Sequence, residues 1–289
     1  MLLESICTRA PARPLRHWAL GLLAAALMLT GCESQADNDK AATDAAYREK
    51  LAKAQAIFAE RCKSAGVVIH RTVKDVEGIE LKRIRPKLEF GDKRYFDPMF
   101  EGAAMAGEQG GVDYIKQFLM YEFRSPDRPT SRGSLGPMTL EARRTRPDAR
   151  KGYAFIEYVD AKDQKRHRCR PDWSLNHPNW IEGQLKCEQV TETNARYALD
   201  YENLVDSGDR AHWVAGTKLR VIERQSGETV AELTRFVIDP GFGVSTTGRW
   251  PWSHAASAAS NVCPSDATRL LGHESRYFVD SVLIPKQGD

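Results

Sequence analysis

The chain has 289 residues, 42% of them hydrophobic, with 42 Lys+Arg against 39 Asp+Glu for a formal charge of +3. If the N-terminal segment described next is removed, 39 cations face 38 anions. That balance argues against a protein built to wrap nucleic acid. The rest of the chain is long enough for one large domain or two small ones.

Residues 1–31 carry Arg9, Arg13 and Arg16 ahead of an apolar run from Trp18 to Leu29. That run is about 12 residues, or roughly 18 Å of helix, against a hydrocarbon core of about 30 Å. It is too short to span a bilayer and reads as the apolar region of a signal peptide. The stretch Leu29-Thr30-Gly31-Cys32 resembles a bacterial lipoprotein box. The resemblance implies cleavage before Cys32 and lipidation of that cysteine. Glu33 in place of aspartate implies sorting to the outer membrane, facing the periplasm. Residues 32–46 are polar and Ala/Asp-rich, and read as a flexible tether.

From Asp44 to Ala65 the pattern turns helical. Asp44 is placed to cap the start, and Tyr47, Leu51, Ala54, Ile57 and Phe58 share one face. Gly66 ends the helix. Val67–Val73 and Ile79–Ile84 read as two strands around a turn at Glu77-Gly78, closed by Pro86. Residues 91–111, with Asp97-Pro98, Gly102, Gly107 and Gly110-Gly111, read as irregular loop. Val112–Phe123 prefers a short helix.

Ser125–Pro147 reads as a long surface loop. Residues 124–170 hold 13 Lys+Arg against six Asp+Glu, so the middle of the chain can present a basic face. Residues 171–289 hold 11 against 16, an acidic excess. Tyr153–Val159 alternates as a strand should, and Arg166–Arg170 returns beside it after a turn at Asp160–Gln164. Tyr197–Val205 is a further strand. His212–Gln225 and Thr229–Asp239 form a long antiparallel hairpin around Ser226-Gly227-Glu228. The expected fold is α+β: antiparallel β-sheet with an N-terminal helix packed on one face, stapled by disulfides. A single domain over residues 47–289 is expected, or two lobes, 47–123 and 150–289, joined by a basic loop at 124–149.

Removing Cys7 with the signal and acylating Cys32 leaves Cys62, Cys169, Cys187 and Cys263, an even number for an oxidising compartment. Three pairings are possible. Cys169–Cys187, closing a short hairpin-like loop, and Cys62–Cys263, tying the first helix to the C-terminal region, are favoured. In the chain-entropy picture they contribute at most about 3 and about 5 kcal/mol. No C-x-x-C occurs, which argues against a thioredoxin-like or zinc-ribbon role.

Catalytic motifs are absent from the sequence. There is no phosphate-binding loop, no dinucleotide fingerprint and no H-E-x-x-H. Gly243-Val244-Ser245-Thr246-Thr247 misses the nucleophile elbow because the second glycine is displaced to Gly248. The seven histidines are scattered without metal-ligand spacing. The expectation is a non-enzyme with no catalytic residue, cofactor, metal or small-molecule substrate.

What remains is surface. Gly241–Trp252 joins glycines to Arg249, Trp250 and Trp252, residue types enriched at binding hot spots. The bland alternative is that Trp250 and Trp252 cap the core beside a Cys62–Cys263 bond. Two runs carry a further resemblance. One is Glu60-Arg61-Cys62-Lys63-Ser64-Ala65-Gly66 leading into His70–Gly78. The other is Asp209-Arg210-Ala211-His212-Trp213 leading to Gly248-Arg249-Trp250-Pro251-Trp252 and Cys263-Pro264. Together they resemble lipoproteins found beside type VI secretion lipase effectors. That resemblance implies a periplasmic immunity protein whose partner is a lipase or phospholipase effector. The alternative is an outer-membrane structural or envelope-assembly lipoprotein without catalytic activity. Under the immunity reading, the interface is expected on the arginine-rich loop (Arg132, Arg143, Arg144) and on Arg249, Trp250 and Trp252.

Overall fold

The structure is a computed structural model describing residues 42–89, 91–123, 133–136, 145–146, 148–172, 184–240, 250–265 and 272–287. The chain divides into two units, residues 1–50 and 51–289. Of the first, residues 42–50 are described; they are helical and mostly exposed.

Helix α1 spans residues 42–62. It starts earlier than expected, so Asp44 lies inside it rather than capping it, and the expected tether gives way to helix at residue 42. The apolar stripe holds: Ala54 is fully buried, and Tyr47, Leu51, Ile57 and Phe58 are half-buried. Among the described residues no helix is long and apolar enough to cross a membrane.

Among the described residues the main sheet has nine strands. Along it run β1 (Gly66–Ile69), β11 (Thr229–Ile238), β10 (Val214–Glu223), β9 (Tyr197–Leu204), β3 (Gly78–Leu81), β6 (Phe155–Val159), β7 (Arg166–Asp172) and β8 (Gln184–Gln189), while β12 (Val262–Cys263) also pairs with β11. Two small two-stranded sheets join β2 (Val73–Val76) to β13 (Leu283–Pro285), and β4 (Tyr121–Phe123) to β5 (Ser134–Gly136). The hairpin β10–β11 and its neighbour β9 fall where the sequence places them, and Gly227, at φ 74°, makes the turn.

The sheet is mixed rather than antiparallel throughout. All four residues of β3 are buried, and it pairs in parallel with both β6 and β9. The expected pairing of the two early strands does not form: β1 pairs with β11, and β2 pairs in parallel with β13. Asp75, inside β2, is held at φ 58°. Within β3, Ile79 and Leu81 enter the core, while Glu80 between them is paired with Arg166 and Arg224.

The two faces of the sheet differ by register. Leu219 lies between Tyr201 and Leu233 on the inner face, and Arg220 between Asp200 and Glu232 on the outer. The inner face packs under α2 (Val112–Leu119) and α5 (Glu274–Val282), with Tyr114, Phe118, Phe278 and Val279 against Ile79, Ile156, Leu199 and Leu219. The outer face is laced by ion pairs. Arg220 bridges Glu202 (3.0 Å) and Glu232 (3.1 Å), Arg166 meets Glu80 at 2.6 Å, and Arg168 meets Glu157 at 2.7 Å. Residues 91–111, expected as irregular loop, contain two 3-10 turns, Lys93–Phe96 and Glu101–Met105. Two further short helices are α3 (Ser207–Ala211) and α4 (Pro251–Ser257).

Both disulfides form as favoured. Cys62–Cys263 joins the end of α1 to β12, and Cys169–Cys187 links directly opposed residues of β7 and β8. Replacing Cys169 and Cys187 together by alanine is expected to cost about 2–3 kcal/mol. Urea denaturation with and without reductant checks this. An unchanged midpoint would show that the β7–β8 pairing holds without the bond.

Candidate interaction surface

Arg61, Cys62, Asp209, Arg210, Trp252 and Cys263, drawn from the two runs singled out in the sequence, meet in space. At the C-terminal end of α1, Arg61 makes two hydrogen bonds to Asp209, Nε to Oδ2 at 2.7 Å and Nη2 to Oδ1 at 3.0 Å. The next residue, Cys62, is bonded to Cys263. Asp206 caps α3 by accepting from the Asp209 N–H at 2.8 Å, which sets Asp209 and Arg210 at the helix end. Arg210 is fully buried, 5.5 Å from the Trp252 ring, and its Nη2 donates to the Glu101 carbonyl at 3.2 Å. Burial lowers its pKa to about 10.

These groups surround a second core of Tyr95, Phe100, Ala103, Ala104, Val237, Trp252, Ala255 and Val262. Trp252 is 0% exposed, and its indole N–H donates to the Asp97 carbonyl at 2.8 Å. The expectation that Trp252 is a surface anchor is therefore corrected: it caps the core. Pro251 starts α4 with Trp250 as its N-cap residue. Residues two apart on a helix point about 200° from one another, which separates the two tryptophans. Trp250 stays half-buried and stacks on Tyr95, with centroids 5.9 Å apart and planes 12° apart.

Tyr95 belongs to a loop that local hydrogen bonds hold rigid. Asp92 accepts from the Arg94 N–H at 2.9 Å and from Arg94 Nη2 at 2.7 Å. The Arg94 side chain, then its backbone N–H, pull the Asp92 carboxyl down to about 2. Asp97 Oδ1 accepts from the Met99 N–H at 2.8 Å. With Tyr95 and Phe100 turned into the core, Phe96 and Met99 are left 46% exposed each. The loop thus carries two exposed apolar side chains, Phe96 and Met99, and its Tyr95 stacks on Trp250.

Reading the sequence missed Phe96 and Met99, because the glycines and Asp97-Pro98 marked the region as irregular. Their signal is the order of residues: two of the four aromatic or thioether side chains between Tyr95 and Phe100 are needed for the core. Arg132, Arg143, Arg144, Arg249 and the lipidation residue Cys32 lie outside the described residues, so they are not placed on this surface.

A separate cluster is buried beneath α2 and α5. Glu108 accepts from the Ser275 N–H and from Ser275 Oγ, both at 2.7 Å, and lies 2.9 Å from Arg85 Nε. Tyr114 OH donates to Ser275 Oγ at 3.2 Å, and His273 Nδ1 lies 3.1 Å from Gln117 Oε1. Burial pushes the Glu108 carboxyl up to about 7, against the pull of Arg85. The serine is held between Glu108 and Tyr114 and is fully buried, so the arrangement locks α5 to the loop after the second 3-10 turn. Among the described residues no group of three or more His, Cys, Asp or Glu is arranged to hold a metal ion. Compared with known protein families, curated proteins and solved structures, the chain matches none.

Proposed function

We propose that this chain is an immunity-type lipoprotein, held in the cell envelope through Cys32, that binds and neutralises a type VI secretion lipase effector. The observation that carries the reading is the exposure of two apolar side chains, Phe96 and Met99, on a loop beside a core locked by Cys62–Cys263 and by the Arg61–Asp209 pair. Exposed apolar side chains on a preformed loop are the kind of surface that supplies binding anchors. Pre-organisation lowers the ordering cost of association. The cation surplus of residues 124–170 suits an acidic effector face and steers its approach at low salt.

The test is periplasmic co-expression with a lipase effector encoded beside the gene, scored by cell survival and by affinity. The wild-type chain is expected to protect. Phe96→Ser with Met99→Ser is expected to weaken binding by about 2 kcal/mol or more at an unchanged melting temperature. Failure of the wild-type chain to bind or protect would sink the immunity reading. Full binding by the folded double variant would move the interface away from this loop.

A further inference from the structure

The two ends of the main sheet are defended differently. β8 closes one end with Lys186, Cys187, Glu188 and Gln189 exposed, so charged and amide side chains guard it. β1 closes the other with Val67, Val68 and Ile69, which are 48%, 53% and 42% exposed. The cations that flank β1 in the chain are drawn away. Lys63 pairs with Glu60 at 2.5 Å, and Arg71 with Glu223 at 2.6 Å and Glu228 at 3.3 Å. Folded proteins blunt a sheet edge with charge, proline or a bulge, since a bare edge is a template for another strand. β1 holds none of these.

Its register says which backbone groups face outward. The His70 N–H donates to the Val230 carbonyl at 3.0 Å, and in the same antiparallel register Val68 stands opposite Glu232. Hydrogen-bonded pairs alternate along an antiparallel ladder. Val68 is therefore bonded to β11, while the N–H and C=O of Val67 and Ile69 point away from it. Among the described residues no strand lies on that side. The side chains sort by face in step with this. Val67 and Ile69 lie opposite Leu233 and Ala231 of the core, and Val68 opposite Glu232 on the outer face.

The pattern is its own complement. When two copies of β1 run antiparallel about Val68, Val67 of each stands opposite Ile69 of the other. Their outward groups then meet in four hydrogen bonds. Val68 meets its own copy, and His70 meets Gly66, where nothing lies within 4 Å of the position a Cβ would take. β1 carries no charge to oppose a like charge. A slip of one residue would set Val67 against Val68, whose backbone groups are already bonded to β11.

We propose that the open edge of β1 pairs with the same edge of a second copy of this chain, making a two-fold dimer whose sheet runs through both protomers. Val67 and Ile69 of both copies share one face of the junction, and the two Val68 side chains share the other. The contact is short and belongs with interfaces of under about 1,200 Å². A dissociation constant of about 100 µM is expected. The inference does not rest on the immunity reading.

The test is sedimentation equilibrium of the purified full chain from about 5 µM to about 1 mM, with amide hydrogen exchange over the same range. The wild-type chain is expected to pass reversibly from monomer to dimer. Exchange at the Val67 and Ile69 amides is expected to slow by about fivefold relative to Val68. Val68→Lys and Val68→Glu each oppose like charges across the two-fold, and each alone is expected to stay monomeric at an unchanged melting temperature. Mixed in equal amounts they are expected to dimerise, because unlike charges then meet. A wild-type chain that stays monomeric to about 1 mM would overturn the proposal, and pairing of that chain with another protein's strand would assign the edge to a different occupant. Undiminished dimerisation of Val68→Lys, or an equal mixture that stays monomeric, would overturn it as well. If a charged variant does not fold, the Val67 and Ile69 amides of the wild-type chain decide alone.

Discussion

Trp252→Ala is expected to lower the stability of the chain by about 3–5 kcal/mol, the range for removing a buried aromatic side chain. The side chain is fully buried and contacts Arg210 across its ring, and its N–H satisfies the Asp97 carbonyl. Truncation leaves a cavity and a buried guanidinium without its aromatic neighbour, and the Asp97 carbonyl keeps the Phe100 N–H at 3.1 Å but loses the indole donor. The loop that presents Phe96 and Met99 hangs on that same Asp97 carbonyl, so partner binding should weaken as a consequence of the lost packing. Trp250→Ala, at a half-buried position, is expected to cost far less. Urea denaturation of the two variants separates them. A Trp252→Ala protein as stable as wild type would place the indole outside the core.

Above about pH 7, where the Glu108 carboxyl is ionised, Glu108→Ala is expected to cost about 3–5 kcal/mol. It strips Arg85, only 4% exposed, of its carboxylate and leaves the Ser275 N–H and hydroxyl without their acceptor. Replacing Arg85 by methionine in the same chain should recover part of the loss, because the buried charge is then gone too. The pH dependence has a definite sign. Burial raises the Glu108 carboxyl to about 7 from an ordinary 4.5. The folded chain therefore keeps a proton that the unfolded chain has released. The stability from this group is fully present below the unfolded pKa and is lost as pH rises through about 7. Glu108→Gln, uncharged at every pH, should flatten that slope between pH 5 and 8. An identical slope in wild type and variant would show that another group sets it.

Features governed by local pattern were legible in the sequence. The stripe of α1, the β10–β11 hairpin and the Cys169–Cys187 loop depend on residues a few positions apart, and they form where the spacing places them. Features governed by meetings across the chain were not. β3 is four residues long and takes its parallel partners from residues 155–158 and 197–199, to which no periodicity in residues 78–81 points. The Glu108 cluster draws on positions 85, 108, 114 and 275, residue types that look ordinary until packing removes the water around them. Trp250 and Trp252 looked equivalent in a loop. The start of α4 between them sends one into the core and leaves the other at its edge.

The bond between Cys62 and Cys263 has a mechanical consequence. Any pull arriving along the backbone from the N-terminal side reaches Cys62 before it reaches β1, the strand at the sheet edge. Without the bond, that load would peel β1 from β11 one hydrogen bond at a time, starting at Gly66. With it, the load passes covalently to β12, which is paired with Phe236 and Val237 of β11, and bypasses the edge strand. The four residue pairs that join β1 to β11 therefore carry no tension, and the pull is borne at β12 by the covalent link instead.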